Sequence, residues 1–118
     1  MKVVEQIAIA LRTNRTLKIL NLSDNTINEN NAIKIRDALI TNNTLTTFNL
    51  SATRLKFKLT NIVESLKINT TLKSLNLSWN AITDFNGISD ALKPNTTLTE
   101  LNLEHNNTIS LQKLTNKK

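Results

Sequence analysis

The chain has 118 residues and no cysteine, which excludes disulfides and zinc sites built on thiolates. Its formal net charge of +6 makes contact with nucleic acid or an anionic surface worth testing, although an aromatic content of only 3% disfavours a base-stacking platform. No signal peptide is evident, and no apolar run reaches the roughly 18 residues of a membrane helix, so we predict a cytoplasmic protein.

The first predicted element is a helix over residues 1–13. Ile7, Ala10 and Leu11 stand at i, i+3 and i+4, the spacing of an apolar helical stripe, and Asn14 and Thr16 follow. The same block returns over residues 35–44, 62–71 and 88–97. Each copy predicts a helix with one buried face. The Asn-x-Thr that ends each block also matches the sequon for N-glycosylation, and we interpret this match as a by-product of the repeat.

A second block follows each helix. Leu-x-x-Leu-x-Leu-x-x-Asn-x-Ile, or a close variant of it, begins at Leu17, Leu45, Leu72 and Leu98, with spacings of 28, 27 and 26 residues. Alternation with period two predicts a short strand with one buried face. Consecutive strands should be parallel, because a helical return connects each strand to the next. A single strand–helix unit cannot bury its apolar faces alone, so stacking of the units creates the core.

This combined pattern resembles the ribonuclease-inhibitor-like leucine-rich repeats. The resemblance implies an α/β solenoid, a right-handed arc with about four parallel strands on its concave face and helices on its convex face. It covers the chain from about Val3 to about Leu114. We predict a single domain of about four repeats over residues 1–118, with a half-repeat helix over 1–13 and a truncated last repeat over 98–118. The chain is then either a short complete array or a piece of a longer one.

The resemblance also implies a buried ladder formed by Asn25, Asn80 and Asn106, whose amides bond backbone groups of neighbouring turns. Thr53 replaces the asparagine in the second repeat, so the ladder should be weaker there. Glycine often precedes the helix in this family. Here Gly87 and, in the first repeat, Asn31 are expected at that place, where a left-handed backbone is tolerated by both residue types.

The residues between the strand leucines should line the concave face. Asn21, Asn49, Asn76 and Asn102 form one column, interpreted as a surface ladder of amides bonded across strands. The column Asp24, Ala52, Trp79 and His105 varies most, and an exposed tryptophan is typical of a binding hot spot, although Trp79 has a second interpretation as a lid over its neighbours. The predicted partner-binding residues are Asp24, Ser78, Trp79, Glu100, Asn102, Glu104 and His105.

Catalysis and metal binding are not expected. His105 is the only histidine, and the chain has one glycine, which leaves no transition-metal ligand set and no glycine-rich phosphate loop. Ser78 and His105 fall on neighbouring strands, but Asp24 falls three strands from His105, so a hydrolase triad lacks its third member. We predict that the chain is not an enzyme, and that it uses no cofactor and no metal.

The leading hypothesis is a non-catalytic protein–protein interaction module that presents its concave sheet to a partner protein. One alternative is an electrostatic binder of nucleic acid or an anionic surface, through the basic outer rim that Arg54, Lys56 and Lys58 form. Another is a structural segment of a longer array, which predicts end-to-end self-association. No membrane partner is expected, and the sequence does not identify the protein partner.

Overall fold

A computed structural model describes residues 2–106 of the chain. Met1 and the end of the predicted last repeat, residues 107–118, lie outside the described residues. In chain order, the elements are α1 (Lys2–Leu11), β1 (Ile19–Asn21), α2 (Glu29–Thr41), β2 (Thr47–Asn49), a 3-10 turn (Lys56–Lys58), α3 (Leu59–Leu66), β3 (Ser74–Asn76), α4 (Asn86–Leu92) and β4 (Glu100–Asn102). Each predicted helix and strand is present, and the first helix ends at Leu11.

The four strands form one parallel sheet in the order β1-β2-β3-β4. Leu20, Phe48, Leu75 and Leu101 are aligned across the sheet as register partners. The strands are only three residues long because the chain turns immediately after each asparagine. The sheet and its alternating helices confirm the α/β leucine-rich-repeat solenoid predicted from the repeat.

The core lies between the sheet and the helices. Phe48 and Leu75 from the strands, together with Leu50 and Leu77 directly after them, belong to it, and each is at most 1% exposed. The helices contribute the apolar stripe of the first block, so that Ile35, Ala38, Leu39, Ile62, Leu66, Ile88 and Ala91 are all buried. Neighbouring helices pack in sequence, α1 on α2, α2 on α3 and α3 on α4. Within residues 2–106, no helix is long and apolar enough to cross a bilayer.

The predicted left-handed position before the helix is wrong for both residues. Asn31 lies inside α2 and Gly87 inside α4, and neither has a positive φ. Asn28 is instead the N-cap of helix α2, and its side-chain oxygen accepts the backbone N–H of Asn31 at 2.8 Å. This contact satisfies one of the N–H groups that the first turn of a helix leaves unpaired.

Candidate functional site

The turn after each strand is held by the asparagine that ends it. The side-chain oxygens of Asn21, Asn49, Asn76 and Asn102 each accept, at 2.9 Å, the backbone N–H two residues ahead. This column was predicted to bond across strands, and the structure corrects that expectation. A short amide side chain reaches its own backbone more readily than the next strand, as in any Asx turn.

The residue three places after each of these asparagines has a left-handed backbone. The φ angles are 62° at Asp24, 53° at Ala52, 58° at Trp79 and 61° at His105. The most varied column of the sequence therefore lies at the turn that ends the strand, where the chain reverses toward the helical side. These four residues form one row beyond the carboxyl ends of the four strands. We call this row the turn row.

We expect Ala52→Gly to raise the free energy of unfolding by about 0.5–1 kcal/mol. A left-handed alanine costs roughly 1–2 kcal/mol, which glycine relieves at a smaller cost in backbone entropy. Urea denaturation followed by circular dichroism measures the change. Ala52→Val is the matched comparison and should be destabilising, since a β-branched residue tolerates positive φ poorly. If the glycine variant were less stable than the native chain, the left-handed backbone of Ala52 would not be strained.

Trp79 and His105 stack on each other in the turn row. Their ring centroids are 4.0 Å apart and their planes differ by 16°. Trp79 nevertheless stays 60% exposed, because the stack covers one face of the indole and leaves the rest accessible. An aromatic pair held in this way offers a partner a large surface that is already ordered.

Trp79 lines one recess, and a second recess includes Glu104, the residue before His105. One, of about 540 Å³, is lined by Asp24, Thr26, Ala52, Arg54 and Trp79, and it exists because alanine leaves a gap between Asp24 and Trp79 in the turn row. The other, of about 580 Å³, runs along β3 and β4, and its lining includes Glu100, Asn102 and Glu104. The two recesses thus contain five of the seven predicted contact residues, while Ser78 and His105 line neither.

Ser78 was predicted among the exposed contact residues, and the structure corrects its placement. The residue is only 6% exposed, and its hydroxyl donates to the side-chain oxygen of Asn76 at 2.7 Å. The other six predicted residues are exposed or half-buried. Ser78 therefore belongs to the support of the turn beneath Trp79 rather than to an accessible surface.

The ladder residues lie behind the turn row. The oxygen of Asn80 accepts the backbone N–H groups of Thr53 and Leu55, in the preceding repeat, at 3.0 and 3.1 Å. Its amide nitrogen donates to the carbonyls of Leu50, Leu77 and Ser78. Asn106 repeats the pattern one repeat later, accepting from Asn80 and Ile82 and donating to Leu77, Leu103 and Glu104. Asn25 donates to Leu22 and Ser23.

Thr53 occupies the ladder position of the second repeat. Its hydroxyl donates to the Leu50 carbonyl at 2.8 Å and also contacts the oxygen of Asn80. The first repeat is joined here by the backbone instead, with Ile27 N–H donating to the Thr53 carbonyl. The threonine hydroxyl is shorter than an asparagine amide and has one donor instead of two, and its bonds go to Leu50 and Asn80 rather than to the first repeat.

We expect Thr53→Asn to raise the free energy of unfolding by about 1 kcal/mol, the net contribution of one added hydrogen bond. The new amide would have the reach toward the first repeat that Asn80 has toward the second. The midpoint of urea denaturation measures the gain. Thr53→Val is the control of similar shape and should be destabilising, since it loses the bond to Leu50. A fall in stability for Thr53→Asn would show that the site does not admit the longer side chain.

A second asparagine ladder lies at the opposite end of the strands. Its residues are the asparagines of Asn-x-Thr, which the sequence analysis interpreted only as a by-product of the repeat. Asn42, Asn69 and Asn95 each donate to two carbonyls of the preceding repeat, and each accepts the N–H groups two and three residues ahead. Asn42 and Asn69 are at most 5% exposed. The signal was available, because the asparagine of Asn-x-Thr-Leu recurs without exception in all four blocks.

The three residues of the predicted basic rim differ in their contacts. The ammonium group of Lys58 donates to the Ile27 carbonyl, so this cation helps to join two repeats. Arg54 and Lys56 are exposed and have left-handed backbones, with φ of 57° and 51°.

Over residues 2–106, no group of three or more His, Cys, Asp or Glu side chains is placed to hold a metal ion.

Comparison with known proteins identifies the repeat. A family model described as Leucine Rich repeat matches residues 13–33, 69–84 and 95–111. No curated protein sequence matches the chain. Among solved structures, a leiomodin-1 structure titled as its actin-binding site 2 is 25% identical, with a TM-score of 0.84, over 98% of this chain and 69% of that one.

A Caenorhabditis elegans tropomodulin C-terminal domain shares the fold, at 14% identity and a TM-score of 0.63, over 96% of this chain and 89% of that one. The ribonuclease-inhibitor-like subtype stays a prediction. The four-stranded parallel sheet, the helical returns, the family-model matches and these structural neighbours agree that the chain is built from leucine-rich repeats.

Proposed function

We propose that the chain binds another protein through the strand side of its sheet, with the Trp79–His105 stack at the centre of the contact. The observation that carries this proposal is a tryptophan that is 60% exposed yet held in place by stacking. Tryptophan dominates binding hot spots, and a side chain that is already ordered loses little entropy when a partner covers it. The two recesses offer places for the partner's own side chains.

The charges around the stack favour a protein partner over nucleic acid. Glu100 and Glu104 line the recess on the β4 side, whereas Asp24 shares the other recess with Arg54. The two carboxylates on the β4 side would repel a phosphate backbone, whose binding depends on neutralisation by Lys and Arg. We infer a partner surface that combines an apolar or aromatic anchor with basic groups near Glu100 and Glu104.

Actin is the first partner to test, and we propose it because of the likeness to leiomodin-1 actin-binding site 2 over 98% of the chain. The native chain and a Trp79→Ala, Glu104→Lys double variant should be titrated with actin monomers at moderate salt. We expect the variant to bind at least about tenfold more weakly, the loss typical of a hot-spot residue. Equal binding by both proteins would place the actin contact elsewhere, and no binding by either would exclude actin.

Affinity enrichment from a lysate with the same two proteins tests the broader proposal. A protein recovered by the native chain and lost with the variant supports binding through the sheet, whether or not actin binds. The variant Arg54→Ala, Lys56→Ala serves as a matched control for the basic rim. A ligand lost only with this control, and released by about 0.5 M salt, would move the function to the electrostatic alternative.

A further inference from the structure

A groove of about 630 Å³ lies between α3 and α4, on the helical side of the solenoid. Its lining shares no residue with the two recesses on the strand side. The residues that form its floor and rim include Phe57, Val63, Gly87 and Ile88. The volume falls within the range of sites that hold small molecules or the anchoring side chain of a peptide.

The groove lies at the helix junction where one repeat position lacks a side chain. Counted from the aligned apolar helix positions, the equivalent of Gly87 in the first repeat is Lys34 and not the expected Asn31. In the second repeat the equivalent residue is Asn61. Lys34 reaches Glu5 of the preceding helix at 3.8 Å, and Asn61 reaches Glu29 at 3.1 Å. These side chains bridge the first two helix junctions. Gly87 leaves the third junction without a bridge.

Neither the backbone nor the available space requires a glycine at position 87. Its φ is not positive, and a Cβ atom built there would lie 3.7 Å from Cγ1 of Val63, an ordinary van der Waals contact. Glycine also lowers helix stability relative to alanine by up to about 1 kcal/mol. The residue therefore costs stability and relieves no strain, and it adds no side chain to the lining of the groove.

The lining combines an apolar floor with opposite charges on the rim. Val63 and Ile88 are at most 5% exposed, whereas Phe57 on the lip is 75% exposed, more than any other large apolar side chain of residues 2–106. Five charged residues also line the groove. Glu64 and Lys67 form an ion pair with each other, and Asp90 pairs with Lys93. No ion pair of residues 2–106 includes Lys56 or Asp84, and one carboxylate oxygen of Asp84 accepts the backbone N–H of Asn86 at 3.0 Å. The groove thus presents an apolar surface, a hydrogen-bond donor and a hydrogen-bond acceptor.

We propose that this groove binds a short peptide segment of a partner protein, which inserts one large uncharged side chain over Val63 and Ile88. A peptide backbone carries a C=O for the Lys56 ammonium group and an N–H for the Asp84 carboxylate, so it complements both charges. Phe57 extends the apolar surface beyond the groove, where a chain that continues past its anchor would cover it. This proposal does not rest on binding through the sheet.

The test uses the full chain and synthetic peptides selected against it from a random display library. Selected peptides should share a Leu, Phe or Trp without charged neighbours. Their affinity, measured by fluorescence polarisation, should fall about tenfold or more for Phe57→Ala, and also for Gly87→Leu, which fills the groove. Phe57→Ala also guards against misfolding, because this side chain is too exposed to support the core.

Two controls separate this groove from other surfaces. Ile68→Ala removes a side chain that is 56% exposed outside the groove, and Trp79→Ala removes the centre of the sheet-side contact. Both should leave peptide affinity within about twofold, as peripheral positions do. The proposal is overturned if no peptide is enriched, or if binding depends on Trp79 and not on Phe57 and Gly87. A second probe is the dye 1-anilinonaphthalene-8-sulfonate. If the native chain bound this dye but no peptide, and Gly87→Leu abolished dye binding, the groove would be a small-molecule site and the proposal would be overturned.

Discussion

Replacing Asn80 with alanine should lower the free energy of unfolding by about 3–5 kcal/mol. Asn80 is 1% exposed, and its oxygen is the acceptor for the backbone N–H groups of Thr53 and Leu55. Both of these residues are fully buried, so the alanine variant leaves two donors without water or protein partners. Each such group costs about 1–3 kcal/mol, and the lost amide adds a small cavity.

Urea denaturation followed by far-ultraviolet circular dichroism measures this loss. Asn30→Ala is the matched control, since Asn30 is exposed and its side chain makes one long contact, 3.5 Å to Glu5. This control should change stability by less than about 0.5 kcal/mol. If Asn80→Ala lost no more than Asn30→Ala, water would have replaced the amide, and the ladder would contribute little to stability.

Phe48→Ala should cost about 3–5 kcal/mol, the range for removing a buried aromatic ring. Phe48 stands where the other strands carry leucine, in the middle of the sheet, and it is 1% exposed. Neighbouring strands and helices fix the walls of the space that it leaves, so the cavity cannot collapse fully.

The same substitution at Phe57 is the control for this prediction. Because Phe57 is 75% exposed, Phe57→Ala should change stability by less than about 0.5 kcal/mol. The two variants lose identical atoms, so the difference between their unfolding free energies reports burial alone. Equal losses at both positions would mean that Phe48 is not packed as the structure shows it.

Helices and strands were predictable from the sequence because their signals are local and repeated. Leucine alternation identifies strands at Leu20 and Leu75, and apolar positions such as Ile35 and Ile62 identify the helices. Four copies of each pattern outweigh the ambiguity of any single one. The ladder position of Asn80 could also be inferred, although only through the resemblance to a known family.

The details of the candidate site could not be predicted in the same way. Ser78 alternates like an exposed residue, yet the turn that Asn76 holds brings it beneath the surface. Lys58 looks like a solvated cation, yet it bonds a carbonyl 31 residues earlier in the chain. The groove at Gly87 depends on how far α4 lies from α3. Each of these features depends on contacts between repeats.

The sequence by itself therefore determined the repeat, the parallel order of its strands and the residues that build the core, because hydrophobic periodicity within a segment is enough to specify them. Only the tertiary structure decided which variable residues meet: the stacking of Trp79 on His105, the gap at Ala52 and the open helix junction at Gly87. The physical reason is distance along the chain. Side chains 26 or more residues apart come together only when the repeats stack, and no local pattern encodes the shape of the space between them.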